Sequence, residues 1–247
     1  MPDTDFPAEL PDLPDDWSRA LVLMAHPDDP EYGVGAAVAR WTSEGRDVRY
    51  VLATSGEAGI AGLDPRESAV LRAQEQRASC ERVGVRSLEL LDHPDGVLVE
   101  GPALRRDLAS AIRRHRPELV VTLNHHDTWP FGGWNTADHR ALGRCVLDAV
   151  ADAANEWVHR DLAAAGLPPW RGVRWTAVAA SPRPTHQVDV TAHLADAVAS
   201  LVEHRRYLQA LSDDPVEEQA RAVVAMSTGA GERLEGRGVV RFEVLGG

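Results

Sequence analysis

The sequence predicts an α/β protein, a three-layer α/β/α arrangement around a mostly parallel sheet. Two observations carry that expectation. Short continuous apolar runs recur along the chain, and a longer stretch with helical spacing separates each run from the next. A run such as ALVLMA (20–25) is apolar at every position rather than at alternate ones, which suits a strand covered on both faces. Repetition of strand, helix and strand then builds a parallel sheet with helices on either side.

The elements follow in order. Residues 1–17 carry six acids and four prolines, so they read as an extended, poorly structured lead-in, and residues 18–247 read as one domain. The first strand covers 20–26, and an Ala- and Val-rich helix covers 32–44, stopping at Gly45. DVRYVLAT (47–54) is the second strand. Asp64-Pro65 supplies an N-cap and a first-turn proline for a helix over 65–83 that stops at Gly84. A strand over 87–93, a helix over 102–116 and a strand over 119–124 follow. One long helix is expected over 137–163, then a strand over 174–180, helices over 191–210 and 215–228, and a last strand over 238–245. No internal repeat or heptad pattern interrupts this order.

Composition narrows the function classes. The formal charge is −12, and all 26 basic residues are Arg, with no Lys anywhere in the 247 residues. A P-loop lysine and Schiff-base chemistry are therefore excluded. The acidic balance argues against nucleic acid and anionic membrane as partners. Cys80 and Cys145 form no CxxC pair, so a reducing cytoplasm is the expected location. The acidic opening is the reverse of a secretory signal, and no apolar run is long enough for a bilayer, so no membrane insertion is expected. A homo-oligomer is compatible with the sequence.

In an open parallel sheet, ligands collect beyond the carboxyl ends of the strands. Five of the ten histidines fall in the turns expected there: His26, His93, His125, His126 and His139. Strand one runs into His26-Pro27-Asp28-Asp29, and not into a Gly-x-Gly-x-x-Gly turn, which disfavours a dinucleotide-binding oxidoreductase. His26 and Asp29, three apart at a strand-to-helix junction, can converge on a divalent ion such as Zn²⁺. A third ligand must come from elsewhere. Asp28, aimed differently, is free to act as a base. Helix capping explains one acid of this group but not all four residues.

Ala25-His26-Pro27-Asp28-Asp29 closely resembles the signature of the PIG-L/LmbE-like metal-dependent N-deacetylases. The likeness continues through Gly33, Thr54-x-Gly56-Glu57, Arg72-x-x-Glu75, Asp95-Gly96 and Asp138-His139-Arg140, and more loosely through Asp189-Val190-Thr191 and His204-Arg205. The resemblance implies a Rossmann-like sheet and one Zn²⁺ per chain, with Fe²⁺ as another candidate ion. His26, Asp29 and His139 would hold the ion, and Asp28 would deprotonate the attacking water. It further implies an N-acetylglucosamine-type sugar or glycoconjugate as substrate, giving acetate and a free amine. Arg72, Asp95 and Glu57 would be its sugar contacts.

Two departures stand out. Pro30 follows the double Asp where many relatives have Glu, and Glu31 comes one place later. More consequentially, Thr136 stands where many relatives carry a His that helps protonate the leaving amine. His125 or His126 is the expected substitute, or Asp28 returns the proton it took. The alternative is a metal-binding protein of this family with weak or lost deacetylase activity.

The bland readings are also expectations. His93 is read as a rim or structural residue, and Cys80 and Cys145 as buried hydrophobes. Trp129, Phe131 and Trp134 either wall the substrate or pack their own loop. Arg105, Arg106, Arg113, Arg114 and Arg116 read as a solvated helix face.

Overall fold

The computed structural model describes residues 9–246. Five strands pair in parallel: β1 (Arg19–Met24), β2 (Asp47–Leu52), β3 (Leu88–Leu90), β4 (Leu119–Leu123) and β5 (Trp175–Ala179). They continue into β6 (His186–Asp189) and β7 (Val239–Leu245), and the sheet order is β3-β2-β1-β4-β5-β7-β6. β7 runs antiparallel to both β5 and β6. The central strands bury every residue from Ala20 to Met24 and from Leu119 to Val121, as their unbroken apolar runs demand. β6 was not expected, because HQVD offers no apolar run and lies at the sheet edge, where one flank needs no cover.

Nine α-helices are described: α1 (Asp29–Gly33), α2 (Gly35–Ser43), α3 (Pro65–Arg82), α4 (Pro102–His115), α5 (Ala137–Ala154), α6 (Arg160–Ala164), α7 (Leu194–Val202), α8 (Arg205–Leu211) and α9 (Val216–Thr228). α4 packs on α5, and α2, α3 and α9 pack around α7. The Asp64 side chain accepts from the Arg66 amide at 2.9 Å, as the N-cap reading required. None of the described helices is long and apolar enough to cross a membrane.

Three expectations change. Residues 1–8 of the lead-in lie outside the described part, but residues 9–17 are not poorly structured. The Leu13 amide bonds the Gln187 carbonyl at 2.9 Å, and Trp17 is buried edge-on to Trp41. The long helix over 137–163 stops at Ala154 and resumes as α6. Arg113 explains the stop. Far from lying on a solvated face, it is 1% exposed and donates to the carbonyls of Asp152, Ala153, Asn155 and Val158. A planar fork of five donors thus satisfies carbonyls that a helix end leaves orphaned. Finally, the helix over 191–210 is a 3-10 turn followed by α7 and α8, with a break at His204.

At that break the His204 Nε2 meets Glu31 Oε2 at 3.2 Å, with neither side chain exposed. Glu31 Oε1 also accepts from Ser79 Oγ at 2.7 Å and Gln76 Nε2 at 3.1 Å. This network ties α1 to α3 and to the turn before α8. Burial alone would lower the His204 pKa, but the hydrogen bond and charge of Glu31 outweigh it and raise it. The folded chain therefore keeps this proton longer than the unfolded chain does. Its stabilisation is complete below the ordinary histidine range and is lost as pH rises through the raised value. The urea midpoint should fall as pH rises through that window, and His204→Gln should flatten the slope. At acidic pH the same variant should cost about 3–5 kcal/mol, the usual effect of breaking a buried pair. A wild-type slope identical to the variant's would show that His204 is neutral.

Candidate active site and metal centre

From β1 the chain runs outward to β2 and β3, then returns to β4 on the other flank of β1. The cleft beyond the carboxyl ends of β1 and β4 is thus the topological switch point, where open α/β sheets take ligands. The turn after β1 supplies His26, Asp28 and Asp29. The segment after β4 leads into α5, whose first turn carries Asp138 and His139. Gly143 lets α5 lie close, since a Cβ there would stand 2.9 Å from the Leu123 carbonyl oxygen. His139 sits one turn earlier and so reaches over the strand ends.

The expected ligands meet. The His139 Nε2 is 3.1 Å from Asp29 Oδ1, and the His26 Nδ1 is 3.3 Å from Asp29 Oδ2. Asp29 Oδ2 is fixed by the amides of Ala25 (3.1 Å) and His26 (2.8 Å). Together the three residues form a group able to hold a metal ion.

The outer ring nitrogens test that fit. The His139 Nδ1 faces Asn135 Oδ1 at 3.2 Å, and Asn135 Nδ2 donates to the carbonyls of Asn124 and His126, which fixes the amide orientation. The His26 Nε2 faces Asp95 Oδ1 at 3.1 Å and Asp138 Oδ2 at 3.2 Å. With the proton of each ring on its outer nitrogen, where these acceptors lie, the inner nitrogen that faces Asp29 is the one a metal ion would take. The residues fit a divalent cation with nitrogen and oxygen ligands.

Asp138 and Asn135 had no assigned role in the sequence, and the ring nitrogen each one faces is what reveals it. Asp138 also accepts from the amides of Gly96 (2.8 Å) and Leu98 (3.0 Å), so it docks the loop after β3 onto α5. Asp138→Asn should weaken metal affinity by about 10–100-fold, the usual effect of losing an outer partner of a ligand histidine. Competition with a fluorescent zinc chelator reads this directly, and unchanged affinity would remove Asp138 from the support.

The electrostatics agree with a cation-seeking site. Burial would lower the His26 pKa, but Asp29 and the hydrogen bonds with Asp138, Asp29 and Asp95 raise it well above the ordinary value. Burial would raise the Asp29 pKa, but His139 and His26 hold it well below the usual carboxylate range. Asp95 and Asp138 are also lowered against burial, chiefly by their bonds to His26.

Asp28 lies outside this ligand group. Its backbone φ of 87° is rare for a side-chain-bearing residue and turns it away from the direction of Asp29. The Gln76 Oε1 accepts from its amide at 2.9 Å, and the Arg72 Nη2 donates to its Oδ1 at 2.8 Å. Burial raises the Asp28 pKa and Arg72 partly offsets the rise. Arg72 in turn lies 4.0 Å from the Tyr207 ring centroid and donates to the carbonyls of Pro27 and Gly56.

These groups open into one cavity of about 850 Å³. Arg72 and Asp95 line it, although both are already engaged by protein partners. Glu57 does not line it. Its Oε1 accepts from the Asp95 amide at 2.8 Å while Asp95 Oδ2 accepts from the Ala58 amide at 2.8 Å, so Glu57 braces two loops. His125 and His126 do not line the cavity either. The two ring centroids are 4.2 Å apart with the planes tilted by 33°, the His126 Nε2 is held by Glu243 at 2.7 Å, and the buried His125 Nδ1 has no partner, so neither expected donor is aimed into the cavity by a contact. Thr136 does line it, but its hydroxyl accepts from the His139 amide at 3.3 Å as the N-cap of α5. Trp129 and Phe131 form part of the wall, while Trp134 stands outside under the Arg140 guanidinium. His93 pairs with Asp107 and stays structural.

A family model described as PIG-L, GlcNAc-PI de-N-acetylase, matches residues 21–150. The chain is 32% identical over 157 residues to diacetylchitobiose deacetylase of Thermococcus kodakarensis, covering 62% of this chain and 57% of the relative. It is 30% identical over 216 residues to 1D-myo-inositol 2-acetamido-2-deoxy-alpha-D-glucopyranoside deacetylase of Kineococcus radiotolerans, covering 73% of this chain and 58% of the relative. The alignments thus span less than two thirds of either relative. The crystallised N,N'-diacetylchitobiose deacetylase of Pyrococcus horikoshii shares the fold, with a TM-score of 0.81 at 24% identity over 93% of this chain and 84% of that one. The matched segment contains the ligand group, Asp28 and the residues that orient them, so the chain belongs to the PIG-L family.

Proposed function

We propose that this chain is a zinc-dependent N-deacetylase that removes acetate from an N-acetylglucosamine-type sugar and leaves a free amine. The observation that carries this is the division of labour between two adjacent acids. Asp29 is gripped by two histidines and held charged, whereas Asp28 is buried, raised in pKa and excluded from the ligand group. Two carboxylates whose environments push their pKa values apart are suited to opposite roles. His26, Asp29 and His139 would hold the ion, which when bound polarises the acetamide carbonyl and lowers the pKa of water.

Asp28 supplies the proton transfer. Arg72 holds one of its oxygens, and the carboxylate would take the proton of the attacking water. With Thr136 committed to its helix cap and both candidate histidines outside the cavity, Asp28 also returns that proton to the departing nitrogen. His125→Ala and His126→Ala should then leave kcat within about threefold of wild type, far from the 10²–10⁴-fold loss that marks a general acid. A large kcat loss in either variant would restore that histidine as donor. Both cysteines are free and buried, which suits a cytoplasmic setting.

One observation favours a second reading, a metal-binding protein without turnover: the position of the usual acid is filled by a capping threonine. Elemental analysis, then an assay of acetate and free amine from N-acetylglucosamine, N,N'-diacetylchitobiose and GlcNAc-inositol, separates the two. Metal-dependent release supports the deacetylase, and bound metal without release supports the second reading.

A further inference from the structure

The far end of the cavity is built differently from the metal end. β7 is antiparallel, so its first residues lie beside the carboxyl end of β5, with Phe242 paired to Ala179. Phe242 points into the core, and its neighbour Arg241 is on the opposite face, where it lines the cavity. Among the described residues, every other buried or half-buried arginine donates to an oxygen, for example Arg72 to Asp28, Arg105 to Asp152, Arg140 to the Asn135 carbonyl and Arg113 to six carbonyls. Arg241 donates to none, and its buried Nε has no partner. It stands near the end of α9, 3.9 Å from where a Gly229 Cβ would be, yet bonds none of the helix's terminal carbonyls. Leaving such a donor unmet is costly in a chain with net charge −12, where acids are plentiful.

Arg241 is also set apart from the metal end, since β7 stands three places from β1 in the sheet. Arg72 feels the charges of Asp28, Asp29 and Asp95, whereas Arg241 is shifted only by burial and by Arg237. The cavity wall near the mouth is apolar. Phe131, Leu211 and Met226 line it and are each about half exposed, at 47%, 54% and 55%. Large apolar side chains held open around a cavity are a binding surface by default.

We propose that Arg241 and this apolar rim form a distal subsite for the aglycone of the substrate, which is an amphipathic acid: an apolar body ending in a carboxylate or phosphate. The inference rests on the deacetylase reading for the sugar end and adds the class of group attached to it. An anionic terminus gives the outer Nη groups of Arg241, which no protein oxygen meets, charge-assisted hydrogen bonds, and the apolar body covers Phe131, Leu211 and Met226.

The test uses N-acetylglucosaminides with four aglycones: methyl, octyl, an octyl-length chain ending in carboxylate, and the same chain ending in phosphate. For wild type, kcat/KM should rise from methyl to octyl, and at least tenfold more on adding either anion, the size expected for a hydrogen bond to a charged group. A larger gain from one anion identifies which source of charge the site takes. Arg241→Gln should bring the anionic-to-neutral ratio close to one, Arg241→Lys should keep part of it, and Met226→Ser should reduce the octyl-to-methyl ratio. Rates that are equal for neutral and anionic chains in wild type overturn the subsite while leaving the deacetylase reading intact. Calorimetric titration with the corresponding free-amine glucosaminides reads the subsite without turnover. If no N-acetyl sugar is cleaved but the anionic amines still bind tighter through Arg241, the activity fails and the subsite stands; equal binding of neutral and anionic amines removes the subsite.

Discussion

Asp28→Asn should keep its full complement of metal and lose about 10²–10⁴-fold in kcat, the range for removing a general acid–base group. The substitution keeps the local backbone and an acceptor for Arg72, while removing the charge that faces the buried guanidinium. Asn tolerates positive φ at least as well as Asp, so the 87° turn that aims residue 28 survives. The Gln76 bond to the backbone amide is untouched, and Arg72 retains the carbonyls of Pro27 and Gly56. Asp28 takes no part in the ligand group, so elemental analysis should give the wild-type stoichiometry. KM should change much less than kcat, because what is lost is proton transfer and not sugar contact. A variant within a few-fold of wild-type turnover would remove Asp28 as base. A variant that also lost its metal would mean that residue 28 supports the ion.

Why some of this was legible in the sequence and some was not has a physical basis. Continuous apolar runs mark strands buried on both faces, so β1, β2, β4 and β5 and their switch point were readable. β6 has no such run because it is an edge strand, and the break after Ala154 depends on Arg113, which reaches it from another helix. His26 and Asp29 were legible because a three-residue spacing at a strand end is a local fact. His139 came only through the family resemblance, since 110 residues separate it from Asp29. The orienting roles of Asp138 and Asn135 depend on ring nitrogens facing them in space, which no spacing rule encodes. The expected roles that the cavity geometry does not support have the same origin. Glu57, His125 and His126 follow strands on the correct edge, but a position at that edge does not decide whether a side chain faces the cavity or braces its walls.

Chelation should abolish activity, and His139→Ala should reproduce that loss without a chelator. The two nitrogens of the ring have separate roles. Asn135 fixes the proton on Nδ1, so Nε2 is a pre-aimed lone pair, and α5 holds it there through the Thr136 cap and the close approach at Gly143. Alanine removes that donor and leaves His26 and Asp29, too few for a stable site with nitrogen and oxygen ligands. Affinity should fall by more than the roughly 10–100-fold expected of an outer-partner variant such as Asp138→Asn. A second consequence does not depend on turnover. Metal that binds only the folded chain stabilises it by about 2.7 kcal/mol at 100 times Kd, so Zn²⁺ should raise the wild-type Tm and leave the His139→Ala Tm nearly unmoved. Two further groups among the described residues could hold a metal ion, His125 with His126 and Glu243, and His26 with Asp95 and Asp138, and the second competes directly because it shares His26. Asp138 spends both oxygens on the amides of Gly96 and Leu98, and Asp95 spends one on Ala58, so a cation there must displace bonds that dock two loops. Cobalt substitution decides between the two, because the visible spectrum follows the ligands. It should change in His139→Ala if the ion sits on Asp29, and stay the same if the ion sits on Asp95 and Asp138. An unchanged spectrum with retained Zn²⁺ stabilisation would move the metal centre to the other side of His26 and leave Asp28 without a neighbouring ion to work with.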